Sequence, residues 1–387
     1  MIRKLSALIL ACILMLSVLP VVAEPAAELS DEISTVITDI QKYGNIVLEA
    51  PASALLNNGF AYGDVVDVTV NGQTYSMPVG SNFSDVDQGS MICRAVYAEG
   101  GDDYILVAIN MGDFATTAGI ATKEKIEADP GFVWHINEGV AEPVEVTITM
   151  AEQGGYYDAW VMHQLARSQN REDYPELTDA EYANFRMVTT TGIGEGKLYR
   201  SSSPVNPEIN RNKEADAAAK EAGVKTFINL ADNEEVMRGY EGFAESYYAG
   251  QKIIALNLGV DFSADDFKAG LANGIRFIAE NEAPFLVHCN EGKDRAGFVS
   301  AMLECLMGAT ADEVVADYMV TYYNYYAVKP EGDRYPVIAN SNIKKSLAAA
   351  FGVADIMDVD LAAAAEQYLL DIGVSAEDIA KVKENLK

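Results

Sequence analysis

The pattern of apolar and polar positions predicts strands in the first part of the chain. Residues 66–70 read Val-Asp-Val-Thr-Val, the period-two alternation of a strand with one buried face, and the hairpin signal Asn71-Gly72 follows directly. Further strand-like runs occur at 104–109 and 144–149, between turns rich in Gly and Asp. We therefore predict a β-rich module over residues 24–150.

Later in the chain, strand-like runs alternate with helix-like ones, which is typical of an α/β domain. We predict a domain with a central sheet flanked by helices over residues 181–387, preceded by a polar, helical connecting segment at 151–180. An amphipathic helical tail at 361–386 is interrupted at Gly373. The strands of the domain are predicted at 226–230, 253–256 and 285–287, with a helix at 267–279.

The N-terminus has the features of an export signal. Arg3-Lys4 precedes an apolar run at 5–19, which ends in Pro-Val-Val-Ala at 20–23. We predict cleavage before Glu24, so that residues 1–23 are a signal peptide and the mature protein is secreted or extracytoplasmic. A membrane anchor is the alternative, but the run is shorter than the roughly 18–20 apolar residues that a spanning helix needs. Membrane association after cleavage is not expected.

Charge and cysteine content narrow the classes of partner. The chain has 58 acidic and 28 basic residues, a formal net charge of −30, so its field repels nucleic acid and anionic membrane surfaces. It does not exclude a small anion that is captured locally. The 4 cysteines show no close pairing with each other and His, so we predict neither a disulfide framework nor a metal site.

One segment carries candidate chemistry, His288 to Gly297, which reads HCNEGKDRAG. A predicted buried strand runs into it, and an apolar helix at 298–307 leaves it. In such a turn the backbone N–H groups converge, the helix dipole adds about half a positive charge, and Gly292 permits close approach of the chain. The segment is therefore a predicted anion-binding loop.

Cys289 and Arg295 add reactivity to this loop. A cysteine at the start of the turn feels its positive field, which favours the thiolate. The guanidinium of Arg295 can hold two phosphate oxygens in its planar fork. Thiolate, amide cradle and bidentate cation together are what nucleophilic attack on a phosphate monoester requires. The alternative is a structural cysteine beside a surface arginine, and the preceding His288 and internal Gly292 argue against it.

With these residues the segment resembles the Cys-dependent protein tyrosine phosphatase superfamily. Its Gly-Lys-Asp-Arg core at 292–295 is similar to the bacterial tyrosine and lipid phosphatase branch. The resemblance continues to the end of the chain and includes Ala183–Arg186, Leu198–Ser202, Phe227–Asp232 and Asp317-Tyr318.

The resemblance implies a phosphoric monoester hydrolase with a phosphocysteine intermediate and no cofactor. Cys289 would be the nucleophile and Arg295 would bind the phosphoryl group. The substrate-binding cradle would comprise Asn290, Glu291, Gly292, Lys293 and Ala296, with Lys293 adding positive charge at the mouth of the site. The Glu291 side chain is expected to point outward, because the loop binds through backbone amides.

The sequence departs from the family pattern at Ala296, where Thr or Ser usually offers a hydroxyl to the thiolate. This departure bears on the rate of phosphoenzyme hydrolysis. It also motivates one alternative function, a non-catalytic phospho-binding protein.

Two aspartates are candidates for the general acid that protonates the leaving oxygen. Asp294 lies in the loop, and the family branch suggests it for this role. Asp261 follows the strand predicted at 253–256, where dual-specificity phosphatases carry a mobile acid, but it also reads as a helix cap. We favour Asp294. His288 is expected to orient the loop rather than to act as a base.

The substrate is less constrained than the reaction. A phosphorylated peptide, through phosphotyrosine or dual specificity, is our prediction, and a small phosphate ester such as an inositol phosphate or phosphoinositide is the alternative. A rhodanese-like sulfurtransferase also uses a cysteine loop, but Arg295 and the length of this loop favour phosphate.

Three segments of the β-rich module resemble the β-barrel half of S-adenosylmethionine hydroxide adenosyltransferases: Tyr43–Val47, Gly63–Val66 and Ala108–Gly112. They include no catalytic signature, so the resemblance implies a binding or packing module.

Overall fold

The computed structural model describes residues 31–387, and the predicted signal peptide at 1–23 lies outside the described residues. The first part contains the strands β1 Glu32–Ile40, β2 Ile46–Leu48, β3 Val65–Val70, β4 Gln73–Gly80, β5 Met91–Tyr97, β6 Asp103–Ile109, β7 Ala121–Lys125, β8 Phe132–Ile136 and β9 Glu145–Glu152, and the short helices α1 Ala52–Asn57 and α2 Phe114–Thr117.

These strands form a closed β-barrel in the order β1-β2-β6-β5-β4-β3-β9, with β7 and β8 as a separate hairpin. Strand β3 shows how the sequence produces it, because Val66, Val68 and Val70 are buried while the residues between them are partly exposed. Closure leaves the barrel without an open edge. The β-rich character predicted for this part is confirmed. The boundary at residue 150 stays a prediction, and β9 itself continues to Glu152.

The connecting segment is bonded to the barrel. Helix α3 covers Tyr157–His163, and the short helix α4 covers Asp179–Tyr182. The buried carboxylate of Asp85, in the connection between β4 and β5, accepts hydrogen bonds from Trp160 Nε1 at 3.2 Å and from Gln164 Nε2 at 2.9 Å. These bonds fix the start of the segment.

The second part contains strands β10 Arg186–Met187, β11 Leu198–Ser201, β12 Thr226–Asn229, β13 Lys252–Ala255 and β14 Phe285–His288. Its helices are α5 Asn212–Glu221, α6 Glu234–Gly239, α7 Asp265–Glu280, α8 Asp294–Met307, α9 Ala311–Tyr326, α10 Arg334–Ser341, α11 Ile343–Phe351, α12 Leu361–Asp371 and α13 Ala376–Asn385.

The predicted α/β domain is confirmed. Its sheet has the order β10-β11-β14-β12-β13, and every pair is parallel except β10 with β11. All residues of β12 and β14 are buried, as expected for parallel strands covered on both faces. Gly373, with φ +90°, lies between α12 and α13 where the sequence predicted the break. No helix in residues 31–387 has both the length and the apolar character needed to cross a membrane.

The central position of β14 determines where the candidate chemistry lies. Strand β14 pairs with β11 on one side and β12 on the other, and its carboxyl end leads into the HCNEGKDRAG segment. In parallel α/β sheets, ligands bind at this edge.

Candidate active site

The loop from Cys289 to Lys293 connects β14 to the N-terminus of α8, as the sequence predicted. Cys289 is 2% exposed. Gly292 has φ +70°, and a Cβ atom there would lie 2.2 Å from the backbone oxygen of Ser201. Only glycine therefore fits where the loop crosses the end of β11.

Arg295 lies in the first turn of α8. Its Nη1 donates a hydrogen bond to the carbonyl oxygen of Leu258 at 2.9 Å, which orients the guanidinium. Its Nε is buried and has no hydrogen-bond partner among residues 31–387. A buried donor without a partner is uncommon and calls for an explanation. An anion in the loop would provide the acceptor.

Three side chains bind the outer carbonyl groups of the loop. Arg200 Nη2 donates to the Gly292 oxygen at 3.0 Å, and Tyr325 Oη donates to the Glu291 oxygen at 2.7 Å. Asn184 Nδ2 donates to both oxygens, at 3.2 and 3.3 Å. Because the C=O and N–H of a trans peptide point in opposite directions, these bonds turn the N–H groups of Gly292 and Lys293 the other way. The loop is thus held with donors on its inner side.

Arg200 is itself held by a buried ion pair. The Asp317 carboxylate contacts Arg200 Nη1 at 2.6 Å and Arg186 Nε at 2.9 Å. Burial alone would raise the pKa of Asp317, but the charges of Arg186 and Arg200 hold it well below its usual range. Sequence reasoning assigned no role to these residues. The available signal was that all three lie in segments that resemble the phosphatase family.

The outward orientation expected for Glu291, away from the amide cradle, stays a prediction, but its side chain is not free. Its carboxylate pairs with Arg167 Nη2 at 2.5 Å and with Lys293 Nζ at 3.2 Å, and its side chain is 23% exposed. The physical reason is that two cations converge on it. Lys293 is consequently not a free positive charge at the mouth, since Glu291 and Asp294, at 3.9 Å, both face it. Arg167 belongs to the connecting segment, and no sequence motif indicated it.

The two candidate acids, Asp294 and Asp261, lie in different surroundings, and their pKa values are shifted in opposite directions. Asp294 begins α8 beside Arg295, and burial raises its pKa, a shift that favours the protonated form a general acid needs. Asp261 is exposed, and its Oδ1 accepts hydrogen bonds from Ser263 N at 3.0 Å and Ser263 Oγ at 2.6 Å, which lower its pKa. Asp261 thus forms a capping turn before α7, although Leu258, three positions earlier, touches Arg295.

The other residues of the HCNEGKDRAG segment that the sequence analysis singled out are His288, Ala296 and Asn290. His288 is fully buried, its Nε2 lies 3.0 Å from Tyr248 Oη, and burial lowers its pKa to about 3, so the ring is neutral at physiological pH. Ala296 is buried and offers no hydroxyl group. Asn290 Nδ2 donates to Glu208 Oε2 at 2.7 Å.

Family models match both parts of the chain. The model of the tyrosine phosphatase family matches residues 181–387, more than half of the chain, and includes the whole loop. This chain belongs to the tyrosine phosphatase family. The model of the S-adenosylmethionine hydroxide adenosyltransferase C-terminal domain matches residues 35–127, which confirms the resemblance seen in the barrel.

Two solved structures are similar to parts of this phosphatase. The core catalytic domain of the PP-IP phosphatase SIW14 from S. cerevisiae is 19% identical with a TM-score of 0.27, over 43% of this chain and 91% of that one. An uncharacterized conserved protein from Thermotoga maritima is 19% identical with a TM-score of 0.23, over 31% of this chain and 36% of that one. The phosphatase thus spans about a third of the Thermotoga chain. No curated protein matches it.

No cluster of His, Cys, Asp and Glu within residues 31–387 of the phosphatase could hold a metal ion. The three cysteines of that range, Cys93, Cys289 and Cys305, are free thiols. Burial raises the pKa of both Cys93 and Cys305 to about 12, so these two thiols stay protonated.

Replacing Gly292 with Ala is expected to lower kcat/KM for an aryl phosphate by about 10²-fold or more, because the Cβ would push the loop off Ser201. Gly308→Ala is the matched control, since Gly308 also has positive φ, +98°, but a Cβ there meets nothing within 4 Å. The control should lose stability and keep its activity. Wild-type kinetics in Gly292→Ala would contradict the loop geometry.

Replacing Asp317 with Asn should reduce the free energy of unfolding by about 3–5 kcal/mol, because two buried arginines lose their counter-charge. Urea denaturation measures the change. Asp179→Asn is the control, since Asp179 makes an exposed ion pair with Arg171 and should cost less than about 1 kcal/mol. Equal effects of the two substitutions would show that the Asp317 pairing does not stabilise the fold.

Proposed function

We propose that this tyrosine phosphatase is exported and hydrolyses phosphotyrosine, or phosphotyrosine together with phosphoserine or phosphothreonine, in peptides. The observation that supports the reaction is that buried Cys289 leads into the N-terminus of α8, where the buried Nε of Arg295 has no hydrogen-bond partner among residues 31–387. Export rests on the signal-like sequence at 1–23.

In the proposed mechanism, the thiolate of Cys289 attacks phosphorus and the bond to the ester oxygen breaks. Arg295 and the loop amides bind the three non-bridging oxygens, whose charge they stabilise throughout. Asp294 gives its proton to the departing oxygen. A water molecule then attacks the phosphorus of the phosphocysteine, and Asp294 takes a proton from that water. The P–S bond breaks, which releases inorganic phosphate and the thiolate.

The charge around the loop supports an ester that carries a single phosphate. Lys293 and Arg167 are the cations beside Glu291, and both are paired with its carboxylate. An inositol phosphate or phosphoinositide with several phosphates would need free cations there. The Gly-Lys-Asp-Arg core resembles a branch that includes both tyrosine and lipid phosphatases, so both classes of substrate belong in the first assay.

Replacing Cys289 with Ser should reduce turnover to no more than a few per cent, because an alcohol is a far weaker nucleophile than a thiolate. The variant should still bind inorganic phosphate. Cys305→Ala is the control, since Cys305 lies within α8 and should leave activity in place. Phosphate release from a phosphotyrosine peptide measures the turnover of both variants. Binding without hydrolysis by the wild-type protein would instead select the non-catalytic phospho-binding function.

The two candidate acids can be distinguished by leaving-group dependence. Asp294→Asn should lower kcat about 10²-fold or more on tyrosyl phosphate and much less on an activated aryl phosphate, whose leaving group departs without a proton. Asp261→Asn should show no such difference. A uniform loss in Asp294→Asn, combined with a leaving-group-dependent loss in Asp261→Asn, would make Asp261 the acid.

A further inference from the structure

A carboxylate stands between two cations beside the phosphate loop. Glu291 lies two positions after Cys289, and its oxygens contact Arg167 and Lys293 separately, Oε1 with the first and Oε2 with the second. The side chains of the two cations are 18% and 19% exposed, so water screens these pairs only partly. This trio, Arg167, Glu291 and Lys293, is called the acid clamp below.

Arg167 is held in the clamp by contacts outside the loop. Its guanidinium lies over the ring of Tyr325, 5.6 Å from the centroid. The next residue, Ser168, donates its backbone N–H to Tyr174 Oη at 2.9 Å, and that hydroxyl lies 3.2 Å from the Tyr325 carbonyl oxygen. The connecting segment thus delivers Arg167 to the loop from outside the region that matches the phosphatase family.

Lys293 is held as firmly as Arg167. Its Nζ donates to Tyr326 Oη at 3.3 Å and lies over the ring of the same tyrosine, 5.7 Å from the centroid. Two cations fixed on either side of one carboxylate have the arrangement of an anion site. The carboxylate that occupies it belongs to the protein.

We infer that Glu291 is a specificity-determining residue, which fills a second-anion subsite formed by Arg167 and Lys293 and thereby restricts the enzyme to esters with one phosphate. The inference rests on the proposed function and deepens it. A second phosphate on the substrate would have to displace a carboxylate that is tethered to the loop and bonded to both cations. Intramolecular competition of this kind acts at a high effective concentration.

The charge balance gives the direction of each substitution. Glu291→Gln keeps the size of the side chain but removes the carboxylate shared by both cations, which leaves Lys293 with only Asp294 at 3.9 Å, so a polyanion should gain affinity. Arg167→Gln leaves Glu291 with Lys293 alone, so a polyanion should lose affinity. In the double variant, the gain and the loss in affinity for a polyanion should largely cancel.

The test measures equilibrium binding in a Cys289→Ser background, with inositol hexakisphosphate and inorganic phosphate as probes. Glu291→Gln should raise the ratio of the two affinities at least about tenfold in favour of the hexakisphosphate, and the added Arg167→Gln should remove most of that gain. Glu377→Gln is the matched control, because it also removes a carboxylate that pairs with a lysine, Lys381, on helix α13. Its ratio should not change.

Two results would overturn the inference. An unchanged ratio in Glu291→Gln would show that the cations take no second anion. Loss of inorganic phosphate binding in the same variant would show that Glu291 supports the loop itself. Because binding is the readout, failure of the wild-type enzyme to hydrolyse tyrosyl phosphate would count against the proposed function alone.

A kinetic comparison, made with proteins that retain Cys289, completes the test. A phosphotyrosine peptide and the same peptide with a second phosphorylated residue beside it are offered to the wild-type protein and to Glu291→Gln. The variant should shift the ratio of kcat/KM toward the doubly phosphorylated peptide. An equal change for both peptides would assign Glu291 to catalysis rather than to specificity.

Discussion

The active-site architecture depends on the buried ion pairs that the Asp317 carboxylate makes with two arginines. This carboxylate joins Arg186 of β10 and Arg200 of β11 to helix α9, and Arg200 in turn binds the Gly292 carbonyl of the loop. Charges taken out of water are unfavourable unless they are paired and hydrogen-bonded, so this arrangement tolerates few alternatives. Together with the hydrogen bonds from Asn184 and Tyr325 to the loop, these contacts fix the sheet, the helix and the loop relative to one another.

The same geometry supports the proposed binding of phosphate by an acidic protein. The net charge of −30 is spread over the whole chain, whereas the loop presents inward-facing amides, the N-terminus of α8 and the Arg295 guanidinium at one point. Short-range donors in a partly buried site outweigh a screened long-range field. The acid clamp then reduces the positive charge at the rim, which distinguishes this loop from one open to polyanions.

Much of the architecture could be predicted because it follows from local pattern. The alternation at Val66 to Val70 predicted a strand of the barrel, and the apolar runs around the loop predicted β14 and α8. The acid clamp could not be predicted in the same way. Arg167 and Glu291 are 124 positions apart, and nothing in the residues near Arg167 indicates which carboxylate it meets.

The sequence by itself determined which segment carries the candidate chemistry, because Cys289, Gly292 and Arg295 lie within a single strand-to-helix turn. Tertiary structure alone decided what surrounds that segment. It placed Arg200 behind the loop and Arg167 beside Glu291. Such contacts join distant segments of the chain, and they form only when burial of the sheet and helices brings those segments together.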